Sequence, residues 1–538
     1  MIFLKKYFFL CAVFTFSIFY LFSAWVADDA YITFRTIENF HNGYGLRWNI
    51  DERVQSYTHP LWMLNLLIGK YLIDDLYYLS LTLGYVYTIA TIYILYLLCS
   101  FDLKKILLSL LILFSSKAVL DFSSSGLENS LSYFLISLFF YTIIKLKDHK
   151  YYYIILSLIL SCMFLNRMDL IIPVLPFAFF TFFYQAYKNH EIKKSIYYGV
   201  VGFVPVVLWS IFSIYYYGSF FANSVIAKTN TGLPIAHLQI QGFKYLYSNI
   251  LYDPFTSIFI YITTIYAIFS KKQFNKLIGL GLILYIYYLV NIGADYMYGR
   301  FLTIPYIVSL FIFINNYKTT QKITTFIITI VAALSIYNFY QFSFKKTEQF
   351  IISNKSFNDE RAFYYNTTGL LPNLKNTNVG IADHFLETRY LFEAPVNQPT
   401  DLYTMGFNGY LASKLFPQKH IVDRLALTDA FLAAHPMNYG YWRIGHFERA
   451  VNQEYMDSIQ QNKNLITLAQ DHYVFEQVYL LTKAPLNDPR RIQAIVNWHN
   501  GTTFKVAKQG FQYYPHSLLM NHEQAYLENL WIAPSLSK

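Results

Sequence analysis

Six short lysine clusters divide this chain, and the runs between them are apolar. The clusters are Lys5 and Lys6; Lys104 and Lys105; Lys145, Lys147 and Lys150; Lys188, Lys193 and Lys194; Lys271, Lys272 and Lys276; and Lys318 and Lys322. A helix of about 20 apolar residues crosses the hydrocarbon layer of a bilayer. Lysines beside span ends mark the cytoplasmic side. With every cluster inside, spans are predicted at 5–26, 76–99, 106–120, 129–145, 151–166, 170–187, 195–216, 252–270, 274–292, 301–317 and 322–341. These alternate without contradiction, leaving the N-terminus inside and everything after residue 342 outside. The first span is expected to remain as an anchor, because Trp25 sits where cleavage after Ala27 would need a small residue.

Composition and charge narrow the class further. Hydrophobic residues make up 55% of the chain and mean hydropathy is +0.30, too apolar for a soluble surface. The 51 Tyr and 49 Phe are read as compositional bias plus interfacial aromatic belts. Residues 343–538 carry 18 Lys+Arg and 17 Asp+Glu, so the other 24 cations and 15 anions, +9 of the net +10, belong to residues 1–342. That excess sets membrane orientation and argues against a nucleic-acid partner. Cys11, Cys99 and Cys162 lie in apolar runs and form no disulfide or metal-binding pattern. The expected fold is a polytopic α-helical membrane protein of about eleven transmembrane helices. Its membrane module is 1–342, with a first outer loop at 27–75, and 343–538 is an outer mixed α/β domain.

Chemistry is expected outside, because the inner loops carry little besides lysine. Asp28 and Asp29 follow the first span directly. Two adjacent carboxylates at the mouth of a span are costly to desolvate, and their repulsion can raise one pKa into the range of a general base. The competing explanation is that Asp28 caps a helix beginning near Ala30. Arg35, about two helical turns on, would share a face with Asp28. All five arginines of residues 1–342, namely Arg35, Arg47, Arg53, Arg167 and Arg300, fall at outer positions. A guanidinium grips phosphate or carboxylate with paired hydrogen bonds, so as a set they suggest an anion site. Tyr57 and His59 follow a glycine-marked loop, Asn223 and Lys228 lie in a later outer loop, and Asp295 and Arg300 flank the hinge GADYMYGRF. In the tail, Trp442, Arg443 and His446 bring together groups that stack on sugar faces and read hydroxyls.

Taken in order, DDAYITFRTIENFHNGYGLRWN with ERVQSYTHPLW, then SSGLENSLSYFL, YYYGSFFANSVIAKTN, GADYMYGRFLTIPY and LTDAFLAAHP…WRIGHFERA resemble the blocks of bacterial arabinofuranosyltransferases of the GT-C superfamily. The resemblance spans roughly residues 25–450. It implies a polyprenyl-phosphate-linked donor, plausibly of D-arabinofuranose, inversion at the anomeric carbon, and location in the bacterial inner membrane with the tail in the periplasm. It further implies that Asp28 or Asp29 is the base and Arg300 a phosphate partner. His59 and Ala294 depart from the pattern, standing where a small hydroxyl residue and glycine are expected.

The reading is therefore an inverting glycosyltransferase acting on a pilin or cell-envelope glycan hydroxyl. Asp28 or Asp29 would act as base, with the donor phosphate near Arg35, Arg300, Lys228 and His59. No cofactor is required, and a divalent metal is left open. The rival is a translocator of lipid-linked sugars, which would need ionisable groups deep within its spans.

Overall fold

The computed structural model describes residues 2–100, 102–317, 357–376, 402–405, 409–415, 417–437 and 442–509, with short helical pieces between 322 and 337. Parts of the segment expected as a last span, 322–341, and the tail end from 510 lie outside the described residues. Helices stand at the expected segments from 5–26 to 301–317. Among the described residues four are long and apolar enough to cross a membrane: Leu76–Leu98, Met168–Lys188, Ile192–Tyr217 and Gln273–Ile292. Ile235–Tyr252 and Pro254–Phe269 meet that requirement as a pair, bent by 116°. The bend has a local cause. Pro254 opens the second helix without an N–H, and the Asp253 carboxylate caps it by accepting from Thr256 N–H at 3.2 Å.

The outer surfaces of these helices carry apolar ridges such as Val200, Val204, Val207, Leu208 and Ile211, or Ile258, Ile262, Ile265 and Phe269, all exposed. Helical spacing of this kind presents a continuous face that suits lipid rather than water. The segment expected at 106–120 is not one helix. It ends at Ser115 and restarts as Lys117–Phe122, because the Ser116 hydroxyl caps the new helix by accepting from Val119 N–H.

Beyond Ser23 the chain turns into a second helix, Asp28–His41, most of it buried. The loop DFSSSGLENS packs on its start, with Ala27 N–H donating to Ser125 O at 2.8 Å. Gly126, at φ +73°, permits this approach: a Cβ there would meet Val26 and Ala30 at 2.9 and 3.0 Å.

The tail shares its contacts with the membrane part. Thr368 donates to Val26 O and Leu370 N–H to Ala24 O, while Asn358 pairs its backbone with Tyr296 and Tyr298 of the hinge. Its described residues are mainly helical. The strands Leu402–Met405 and His420–Asp423 pair in parallel, Leu402 opposite His420. A tail core of Val422, Leu432, Val474 and Trp498 also takes in Val54, Ile226 and Ala227 from segments between the apolar helices.

Candidate functional site

Both aspartates open the buried helix, where the positive end of the helix dipole favours negative charge. They then diverge. Asp28 does not cap its own helix, which starts at Asp28 itself after an uncapped Ala27. Its carboxylate instead accepts from Tyr410 N–H at 2.7 Å, at the start of the tail helix Tyr410–Leu415. Gly409 makes the approach possible, since a Cβ there would collide with the Asp28 carboxylate. Asp28 keeps a partial opening to solvent but is crowded by protein on most sides. That desolvation pushes its carboxyl up to about 7, with Asp29 adding to the rise and the Tyr410 and Gly409 N–H groups opposing it. Asp29 faces Arg300 at 3.4 Å and is the more open of the two, with 29% of its side chain exposed.

Arg300 is the centre of a buried acid-rich cluster. Besides Asp29 it meets Glu128 at 3.4 Å and Asp295 at 3.8 Å. Glu128, only 2% exposed, also pairs with Arg167 at 3.1 Å, and Arg167 makes a forked pair of bonds to Asp169. Burial alone would raise the Glu128 carboxyl, but Arg300, His59 and Arg167 outweigh it and hold it down to about 2. His59 lies against the same carboxylate, Nδ1 to Oε2 at 3.4 Å, and its Nε2 meets the Thr33 hydroxyl at 2.9 Å. Burial lowers the His59 pKa, so the ring is neutral near pH 7. Beyond these ion pairs, the buried Arg300 Nε has no hydrogen-bond partner.

The tail closes the other side. Glu360 opens the helix Glu360–Thr368 and is buried; desolvation, reinforced by Asp29 and Asp28 against Arg443, pushes its carboxyl up to about 8. Arg443 lies over the Tyr296 ring at 4.3 Å, and His446 meets the same ring edge-on at 4.5 Å. Lys228, exposed at the end of the helix Asn223–Thr229, is close enough to act on Asp295. The structure thus brings together Asp28, Asp29, His59, Lys228, Arg300, Arg443 and His446.

It does not bring Arg35 to them, and the expected phosphate role does not fit its contacts. Its guanidinium stacks on Trp48 and donates to the carbonyls of Trp48, Ala412 and Lys419. The five arginines do not converge as a set. Arg53 also grips carbonyls, those of Tyr216, Leu481 and Ala484, and Arg47 holds Ile50 O. A fork with five donors suits clustered backbone carbonyls as well as an anion. Asn223 is similarly occupied, donating toward Ala426, Leu427 and Asp429 carbonyls, and Tyr57 bonds Tyr217 hydroxyl to hydroxyl at 2.8 Å. Trp442 is buried beside Phe447, its indole N–H without an acceptor.

Among the described residues no group of three or more His, Cys, Asp or Glu side chains is arranged to hold a metal ion. Glu360 and Tyr296 escaped the sequence reading. The one available signal was the charged run Asp359-Glu360-Arg361 ahead of aromatics, which reads simply as a helix start. The chain matches no protein-family model, no curated protein and no solved structure.

Proposed function

We propose that this protein is an inverting glycosyltransferase that moves a sugar, plausibly D-arabinofuranose, from a polyprenyl-phosphate donor to an acceptor hydroxyl at the periplasmic side of the inner membrane. The observation that carries the reading is the divergence of the two aspartates. One carboxyl, Asp28, titrates at about 7, where a base is both available and strong enough to take a hydroxyl proton. Its neighbour, Asp29, is tied to Arg300. In the reaction the acceptor oxygen forms a bond to the anomeric carbon as the bond to the phosphate oxygen breaks. The phosphate leaves with that electron pair, and the hydroxyl proton passes to the carboxylate. The resemblance to GT-C arabinofuranosyltransferases supports the same assignment of the acid pair. A pilin hydroxyl and an envelope glycan are the acceptors to offer.

The test is to incubate purified protein with labelled polyprenyl-phosphoarabinose and each acceptor, and to identify products by mass spectrometry. Transfer by wild type and its loss in Asp28→Asn or Asp29→Asn is the expected result. Full activity in both variants would remove the proposed base.

A further inference from the structure

A glycosyl phosphate needs a cation that is not already neutralised, and the arginine at the centre of the cluster is a poor candidate. Arg300 stands among three carboxylates within 3.4–3.8 Å, so an incoming phosphate would meet more negative charge than positive. Around Tyr296 the carboxylates of Asp29, Glu360 and Asp295 are also near, but the cations there form no ion pair with them among the described residues. Arg443 lies over that ring at 4.3 Å, its Nε is buried without a partner, and its Nη2 donates to a neutral acceptor, the Asn358 side-chain oxygen, at 3.1 Å with that amide in the orientation its neighbours require. Gly445, at φ +78°, turns the chain so that a Cβ on it would meet Tyr296 at 3.4 Å and Lys228 Cε at 3.9 Å. His446 closes the same ring edge-on. Arg443 and His446 therefore contact one aromatic ring with Lys228 close by, and no carboxylate forms an ion pair with Arg443 or Lys228 among the described residues.

Resting on the glycosyltransferase reading, we infer that Arg443 and Lys228, not Arg300, bind the phosphate of the lipid-linked donor, with His446 beside them. A carboxylate then receives the acceptor proton, while the leaving phosphate stays with Arg443 and Lys228. Such an arrangement places fixed charges where charge develops during transfer. Glu360 fits it as well: a carboxyl that holds its proton near neutral pH lies beside Arg443 without repelling the phosphate.

The experiment measures binding of farnesyl phosphate to the full chain in nanodiscs of zwitterionic lipid, with farnesol, inorganic phosphate and phosphatidylglycerol nanodiscs as further arms. Arg443→Gln should raise Kd by about tenfold or more and Lys228→Met by roughly threefold, while Arg300→Lys stays within about twofold. Farnesol should bind equally to all four proteins. Lys228 is exposed, so its variant remains readable even where Arg443→Gln fails to fold, and Arg443→Lys should restore part of the affinity. Unchanged Kd in both Arg443→Gln and Lys228→Met, or a loss confined to Arg300→Lys, overturns the assignment. So does full displacement of farnesyl phosphate by phosphatidylglycerol, which would make this a generic headgroup contact. Displacement by inorganic phosphate alone supports it. If wild type binds farnesyl phosphate through Arg443 but transfers no sugar, the subsite stands and the reaction falls. If it transfers sugar with Kd insensitive to Arg443 and Lys228, the reverse is true.

Discussion

Two buried charge clusters lie where the tail meets the ends of the helices, and they are built on opposite plans. In the first, Lys117 pairs with Asp121 and with Asp359 at 3.1 Å, Arg361 pairs with Asp121 at 2.9 Å, and the Tyr252 hydroxyl bonds Asp359. Two cations alternate with two anions, and each charge has an oppositely charged partner. In the second, Asp28, Asp29, Glu128, Asp295 and Glu360 surround Arg300 and Arg443. Buried polar atoms are nearly always satisfied in structural networks. The first network is a lock between the tail and the membrane part, its Asp121 Oδ1 and Arg361 Nε paired with each other at 2.9 Å, whereas the second, open cluster leaves the Nε atoms of Arg300 and Arg443 without a partner. Residues 359–361 belong to both: Asp359 and Arg361 enter the lock, and Glu360 between them enters the open cluster.

The comparison breaks first at Asp28. Asp28→Asn should lower turnover by about 10²–10⁴-fold, the usual contribution of a positioned base, with no loss of thermal stability. Stability should hold because the amide removes a charge that burial disfavours. Lys117→Met tests the other cluster. Removing one partner of a buried pair leaves uncompensated charge and typically costs about 3–5 kcal/mol. Unfolding temperature should therefore fall, while turnover per folded molecule stays near wild type. The opposite pattern, an unstable Asp28→Asn with a stable but inactive Lys117→Met, would reverse the roles of the two clusters.

Dependence on pH sharpens the contrast. Turnover should rise through a midpoint of about 7 as Asp28 loses its proton, and Asp28→Asn should abolish that limb. Stability moves the other way. Between the ordinary value of 3.8 and about 7 the folded state holds a proton that the unfolded chain has released, so the Asp28 contribution falls as pH rises and levels off above 7. Glu128 has the reverse sign: its contribution is complete above 4.5 and is lost as pH falls through about 2. Turnover and unfolding profiles recorded across pH 5–8 should thus slope oppositely.

Some of this was legible before any coordinates. The apolar runs and lysine clusters gave the helical segments, because length and charge placement are one-dimensional facts. The acid pair stood out since nothing in packing explains two carboxylates beside a span. Arg35 misled for a physical reason. Helical spacing assigns a face, but a long side chain can turn along it, and the carbonyls of Ala412 and Lys419 that hold it come from a distant part of the chain. Glu128 did not stand out within SSGLENSLSYFL, and Glu360 read only as part of a helix start. Both matter through neighbours that folding alone supplies. The break at Ser116 was closer to hand, since a serine three residues before an amide it can accept from is an ordinary cap.

The smallest effect concerns Ala294, the departure from the expected glycine. It lies at φ +56°, in the left-handed region, directly before Asp295 and Tyr296. Ala426, in the tail, has the same residue type, burial and φ of +60°, yet its carbonyl serves Asn223 rather than the acid cluster. Three terms act on Ala→Gly at either position. Relief of the left-handed strain contributes about 1–2 kcal/mol. Loss of a buried methyl costs about 0.8 kcal/mol, and the freer unfolded chain costs about 0.4–1 kcal/mol. They nearly cancel, so unfolding temperatures of Ala294→Gly and Ala426→Gly should both stay close to wild type. Turnover should separate them. Loosening the hinge moves Asp295 and Tyr296 relative to Arg300 and Arg443, so Ala294→Gly should change the transfer rate by roughly two- to threefold, as small misplacements in a catalytic site do, while Ala426→Gly leaves it unchanged. Equal rates in the two variants would mean that the hinge conformation is structural, like the lock, and has no part in orienting the open cluster.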